Sequence, residues 1–126
     1  MSRERKIRIR AKDLELVASL NDSSTANAVW DALPIIGRAQ TWGDEIYFSV
    51  PIKVEKAVDA VETVEKGAVA FWPPGNALCL FWGPTPVSQG DEIRPASAVN
   101  VVGKIDNAET TLAKIEDGDK VEVIHE

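Results

Sequence analysis

The chain has 126 residues, 44% of them hydrophobic and 27% charged, which suits one domain with one core and is too short for two ordinary ones. No apolar run approaches the roughly 18 residues that span a membrane as a helix, and the N-terminus lacks the apolar stretch of a secretory signal. The net charge is −6 and the single cysteine, Cys79, excludes an internal disulfide, so the expectation is a cytoplasmic protein with no membrane partner.

The charge is unevenly placed. Residues 1–12 carry Arg3, Arg5, Lys6, Arg8, Arg10 and Lys12 against Glu4, a balance of +5, whereas the remainder of the chain carries −11. An acidic body repels a phosphate backbone, so no nucleic-acid partner is expected. In "RKIRIRAKDLELVASL" the charges alternate with Ile7 and Ile9, and then with Leu14, Leu16, Ala18 and Leu20. Alternation of period two predicts strands over 5–10 and 13–20, each with one wet face.

After "NDSS", Ala26, Val29, Trp30 and Leu33 fall at helical spacing, with Ser23 or Ser24 as the cap and Pro34 as the stop. Strands are expected over 36–41 and 45–50. Residues 53–66, "KVEKAVDAVETVEK", fit either period, and their β-branched content favours strand and loop. Strands over 68–72 and 77–82 flank a Pro-Pro-Gly-Asn turn within "GAVAFWPPGNALCLFWGPTP" (67–86), which holds four of the eight aromatic residues and four of the seven prolines. A strand over 99–105 leads into a second helix in "DNAETTLAKIEDG", where Ala108, Thr111, Leu112 and Ile115 share a face. Asp106 and Glu109 have capping-box spacing there, and Gly118 suits the stop. A last strand covers 119–124.

About eight short strands and two short helices predict a mainly β fold, a closed barrel in which closure removes the exposed edges and the helices cap the open ends. Chemistry-bearing motifs are scarce. The sequence contains no Walker loop, HExxH, paired CxxC or GxGxxG, and one cysteine with one histidine forms no recognisable zinc set, so no metal or cofactor is expected. His125 is penultimate and reads as a solvent-facing residue. Asp44-Glu45 and Asp91-Glu92 follow Gly43 and Gly90 and read as turn acids, since neighbours on a strand point to opposite faces. Cys79 lies inside an apolar strand, where a thiol is usually inert.

Three segments carry a resemblance. "GAVAFWPPGNALCLFWGPTP", "WGDEIYFSVP" (42–51) and "RPASAVNVVGKI" (94–105) are similar, in the same order, to the small prokaryotic cyclophilin-like family, whose members are largely uncharacterised. A more distant similarity to the cyclophilin peptidyl-prolyl isomerases runs through "LELVASLNDSSTANAVWDAL" (14–33), the aromatic hairpin and "VNVVGKIDNAETTLAKIEDGDKVEV" (99–123). The resemblance implies an eight-stranded cyclophilin-like barrel capped by two helices, in one domain spanning 1–126. It also implies that Leu78, Leu80 and Trp82 point into the barrel while Phe81 faces a groove. The Phe-His-Arg motif of the isomerases is absent; "GRAQTWGDEIYF" (37–48) stands in its place, and Arg38 is the nearest arginine. Asn100 stands where cyclophilins often carry histidine.

Three functions follow. The leading one is a non-catalytic binding module whose aromatic groove takes a small molecule or an extended, proline-containing peptide, lined by Arg38, Trp42, Tyr47, Phe71, Trp72, Asn76 and Phe81. The second is a weak peptidyl-prolyl isomerase with Arg38 in the electrostatic role. The third is a structural domain that associates with a second copy of the chain through exposed apolar surface.

Overall fold

The alternation in the first twenty residues becomes a hairpin. In the computed structural model, which describes residues 5–106 and 109–126, strand β1 (Arg5–Ala11) pairs with β2 (Leu14–Leu20) in antiparallel register from Arg5 opposite Leu20 to Ala11 opposite Leu14. Ile7, Ile9 and Ala11 point inward with Leu16, Ala18 and Leu20. The polar face of β1 is neutralised locally. Lys6 pairs with Asp106 (2.8 Å), Arg8 with Glu15 and Glu126 (2.6 Å each), Arg10 with Glu15 (3.4 Å), and Lys12 with Glu116 (2.6 Å) and Asp119 (3.3 Å). Arg3 lies outside the described residues.

Helix α1 (Ser24–Ala32) begins where Ser23 Oγ accepts the Ala26 N–H at 3.1 Å, and it gives way at Leu33 to extended chain before Pro34. Its buried face, Thr25, Ala26 and Val29, lies on the barrel. Strand β3 (Ile35–Arg38) follows, then β4 (Gln40–Thr41), β5 (Glu45–Ser49), β6 (Ala68–Trp72), β7 (Ala77–Phe81), β8 (Asn100–Ile105) and β9 (Lys120–His125). A 3-10 turn, Pro73–Gly75, joins β6 to β7, and Asn76 completes it with φ 47°. Residues 53–66 form irregular chain tied down by isolated bridges from Val61 to Val99 and from Val64 to Ile93.

Among the described residues nine strands form one antiparallel sheet in the order β3-β9-β1-β2-β8-β6-β7-β5-β4. The expected strand over 36–41 is therefore two strands. Its first half pairs with β9 and its second with β5, so both ends of the sheet lie on one stretch of chain and the barrel is nearly closed. Ala39, at the break, donates to Asp119 O and accepts from Gly118 N–H, each at 2.8 Å. Gly37 makes this closure compact: a Cβ there would sit 2.9 Å from Phe48 Cδ2 across the barrel.

The second helix also differs from expectation. Residues Glu109–Lys114 form a 3-10 helix, with Leu112 and Ile115 buried as their spacing predicts. The Asp106 carboxylate accepts from Lys6 Nζ (2.8 Å) and Ser19 Oγ (2.6 Å), and these bonds hold its pKa below the usual value. Ala108 and the Glu109 side chain, with the capping box that Glu109 would complete, lie outside the described residues.

Strands β6 and β7 are buried on both faces. Inward, Val69, Phe71, Leu78 and Leu80 join Ile46 and Phe48 in the main core. Outward, Ala68, Ala70, Cys79 and Phe81 form a second cluster with Ile93 and Val99. Residues 82–99 cover that outer face, stitched by Thr85. Its hydroxyl donates to Arg94 O and its N–H donates to Ser88 Oγ (2.9 Å), which also accepts from Arg94 N–H (3.0 Å). Among the described residues no helix is long and apolar enough to cross a membrane.

Candidate functional site

The outer face of β5 and β7 is almost, but not entirely, covered. The turn before β5 is held by Trp42 N–H to Glu45 O (2.9 Å), Asp44 N–H to Pro84 O (3.0 Å) and Trp82 N–H to Asp44 O (3.0 Å), with Gly43 at φ +61°. This anchors Trp42 beside the start of β5. Strand alternation then turns Ile46 and Phe48 into the core and Glu45 and Tyr47 outward. Register places Tyr47 opposite Cys79 and Glu45 opposite Phe81. Trp72 comes from the end of β6, and Pro95 and Ala96 from the covering segment. Together these side chains border a partly open cavity of about 130 Å³ lined by Trp42, Glu45, Tyr47, Trp72, Cys79, Pro95 and Ala96.

The aromatic walls are braced. Trp72 Nε1 donates to Ser97 Oγ at 2.7 Å, and its ring lies against Gly75, where a Cβ would fall 2.6 Å from Trp72 Cζ3. Tyr47 OH donates to Gln40 Oε1 at 3.3 Å. Glu45 is the exceptional member, a carboxyl on a residue only 4% exposed. Burial pushes its pKa up to about 7, partly opposed by a hydrogen bond from the Cys79 thiol. The Cys79 thiol is pushed well above its ordinary value, first by burial and then by the charge of Glu45. Among the described residues Glu45 Oε1 is the buried side-chain oxygen without a hydrogen-bond partner.

Of the seven residues expected to line a groove, Trp42, Tyr47 and Trp72 meet in this cavity and the other four do not. Phe71 is 0% exposed in the main core, because alternation from Trp72 turns it inward. Phe81 faces outward as the resemblance implies, yet it is 0% exposed because the covering segment closes over it. Asn76 takes the left-handed position of the hairpin tip and borders a separate depression with Pro73, Pro74 and Lys53. Arg38 is exposed on β3, its guanidinium donating to Gly118 O at 3.3 Å. Asn100 is buried as a latch: its amide donates to Thr25 Oγ1 (3.1 Å) and Glu55 O (3.0 Å), and its Oδ1 accepts from Ala57 N–H (2.8 Å). Trp82 is half-buried against the main core, and His125 is exposed, its ring edge-on to Trp30 at 4.3 Å.

Glu45 is the residue that sequence reasoning misplaced. Read as a turn acid although the strand expected over 45–50 begins with it, it is the buried first residue of β5. The signal was the parity that sets Cys79 and Phe81 on one face of β7: extended across the sheet, it puts Glu45 and Tyr47 on that face too. Larger hollows exist, including one of about 560 Å³ between Asn21, Val64 and Lys104, but no buried side-chain oxygen or nitrogen without a partner lines it among the described residues. No group of three or more metal-ligating side chains occurs among the described residues.

Comparison with known proteins places this architecture. No curated protein matches the chain. A hypothetical protein from Archaeoglobus fulgidus, known from a solution structure, superposes with a TM-score of 0.83 at 44% identity, covering 98% of this chain and 95% of that one. McbB, whose structure is known in complex with tryptophan, superposes with a TM-score of 0.71 at 15% identity. The match covers 94% of this chain and 44% of the McbB chain, so there the likeness is one of fold. The family model described as Cyclophilin-like matches residues 5–124. With nearly its whole length matched and the barrel in place, the chain belongs to the cyclophilin-like family.

Proposed function

We propose that this protein is a non-catalytic binding module that takes a small molecule into the cavity between Trp42, Tyr47 and Trp72. The observation that carries this reading is the convergence of three aromatic side chains and one buried carboxyl residue, Glu45, with an unpartnered oxygen, on the same cavity. Apolar walls with a single placed polar group are the usual composition of a ligand pocket. At about 130 Å³ the cavity is comparable with the roughly 150 Å³ engineered cavity that accepts benzene, so its occupant is one small ring or a compact branched group rather than a length of peptide. The occurrence of the same fold in a protein known with tryptophan bound is compatible with this use of the frame.

The isomerase alternative draws less support. Its electrostatic step needs a donor beside the substrate carbonyl, and among the described residues no arginine lines the cavity. The test is an amide and indole NMR titration of the labelled chain, first with benzyl alcohol as a small ring and then with an Ala-Pro peptide, with exchange spectroscopy on the proline signals. Shifts confined to Trp42, Tyr47 and Trp72 on adding the small ring support the binding module. Proline exchange cross-peaks at catalytic protein amounts would replace it with the isomerase.

A further inference from the structure

The polar equipment of the cavity defines what can fill it. Two of its three aromatic heads are already engaged, Trp72 Nε1 by Ser97 and Tyr47 OH by Gln40. The Cys79 thiol is engaged by Glu45. What remains for an incoming molecule is ring surface, the Trp42 indole and one carboxyl, that of Glu45, whose Oε1 is buried and without a partner. A buried carboxyl oxygen left in that state costs about 1–3 kcal/mol, and a ligand N–H bonded to the carboxyl offsets part of that cost. Aromatic rings attract cations through their quadrupole, and more strongly where water is excluded. Among the described residues no lysine or arginine lines the cavity to compete for the carboxylate, and the chain as a whole carries −6. A neutral ring would satisfy the walls but leave Glu45 without its counterpart, and a quaternary ammonium would satisfy the charge without donating.

We propose that the cavity binds a small alkylammonium ion, its N–H donated to the Glu45 carboxylate and its carbon framework held against Trp42, Tyr47 and Trp72. This rests on the cavity being a ligand site and adds the class of ligand. It has a consequence for protons. An ammonium ion requires Glu45 as carboxylate, whereas the empty, buried site favours the protonated acid, so binding releases a proton from Glu45 whenever the pH lies at or below about 7. The titratable groups facing Glu45 are Cys79 from β7, whose thiol is held protonated by burial, and Tyr47 from β5. Trp42, Trp72 and the covering residues Pro95 and Ala96 do not titrate.

The experiment compares three probes of similar shape on the full chain at constant ionic strength: tert-butylammonium, tetramethylammonium and tert-butanol. Indole N–H resonances of Trp42 and Trp72 report binding. The expected result at pH about 8 is that tert-butylammonium binds about tenfold tighter than tert-butanol, with tetramethylammonium between them. Glu45→Gln abolishes that preference. In the native chain the affinity for tert-butylammonium falls as the pH is lowered from about 8 to about 6, because the carboxyl takes up its proton, while that for tert-butanol does not. Equal affinity for tert-butanol and tert-butylammonium would overturn the ammonium assignment while leaving the cavity a binding site. A set of probes none of which moves the Trp42 and Trp72 resonances would remove the binding reading itself. Should Glu45→Gln fail to fold, the pH series on the native chain decides, and an ammonium affinity independent of pH overturns the proposal.

Discussion

Glu45 and Cys79 lie side by side on the outer face of the sheet, each pushing the other's pKa, and Glu45 Oε1 is buried with no hydrogen-bond partner. The pair is set by register: Glu45 is opposite Phe81 and Tyr47 opposite Cys79, so Glu45 and Cys79 are diagonal neighbours on one face of β5 and β7.

The raised Glu45 pKa makes folding depend on pH in a stated direction. Below about pH 4.5 the folded and unfolded chains both hold this proton. Between 4.5 and about 7 the unfolded chain loses it while the folded chain keeps it, so stability falls as pH rises through that window and levels off above it. The full effect is about 3 kcal/mol. Urea unfolding from pH about 4 to about 8 is expected to show the native chain losing stability relative to Glu45→Gln, with the variant more stable at the alkaline end. A constant difference between the two proteins would mean that Glu45 titrates normally. Carboxylates held below their usual range, such as Asp106 and Asp119, act in the opposite sense but cancel in the difference.

Trp72 is a wall of the cavity more than a member of the core. It is half-buried at the end of β6, steadied by Ser97 and by contact with Gly75. Trp72→Ala is expected to cost about 1–2 kcal/mol of stability and to abolish ligand-induced shifts at Trp42. Ser97→Ala, which frees the indole, costs about 1 kcal/mol or less and weakens binding several-fold. Melting curves with near-ultraviolet circular dichroism check both. A collapse of the tertiary signal in Trp72→Ala would return this residue to the core.

Phe71 and Phe81 occupy opposite faces of the sheet, and both are fully buried. Truncation of either to alanine is expected to cost about 3–5 kcal/mol, measured by urea unfolding. A cost under about 1 kcal/mol for Phe81→Ala would show that the covering segment lifts away from it.

Arg38 has its guanidinium on a backbone carbonyl at the surface and does not reach the aromatic cavity. Arg38→Ala should change stability by no more than about 0.5 kcal/mol and leave ligand affinity unaltered. A loss of binding in that variant would bring Arg38 back into the site.

Gly37 is where the barrel closes over Phe48. Gly37→Ala forces a methyl to within 2.9 Å of the Phe48 ring and is expected to destabilise by about 1–3 kcal/mol, read as a lowered Tm. An unchanged Tm would show slack at the closure.

Much of the frame is legible in local pattern. Strict alternation in β1 and β2, helical spacing with the Ser23 cap in α1, and the Pro-Pro-Gly-Asn turn between β6 and β7 each follow from short-range geometry that tertiary contacts only reinforce. The 109–114 turn was less legible, because Leu112 and Ile115 at i and i+3 serve a 3-10 helix as well as an α-helix. Of the seven residues expected to line a groove, Trp42, Tyr47 and Trp72 border the cavity, while Phe71 and Phe81 are buried. Both are strand residues whose exposure depends on what lies over the sheet.

The sequence by itself determined the class of the fold, the positions of most strands, and which residues share a face, because the period of a strand is a property of the backbone alone. Only the tertiary structure decided that residues 36–41 split at Ala39 to join both ends of the sheet, and that 82–99 fold back over the outer face. That covering segment buries Phe81 and turns Glu45 from a turn acid into an enclosed carboxyl. Burial, partner and charge state depend on contacts between segments far apart in the chain, and no local pattern encodes those contacts.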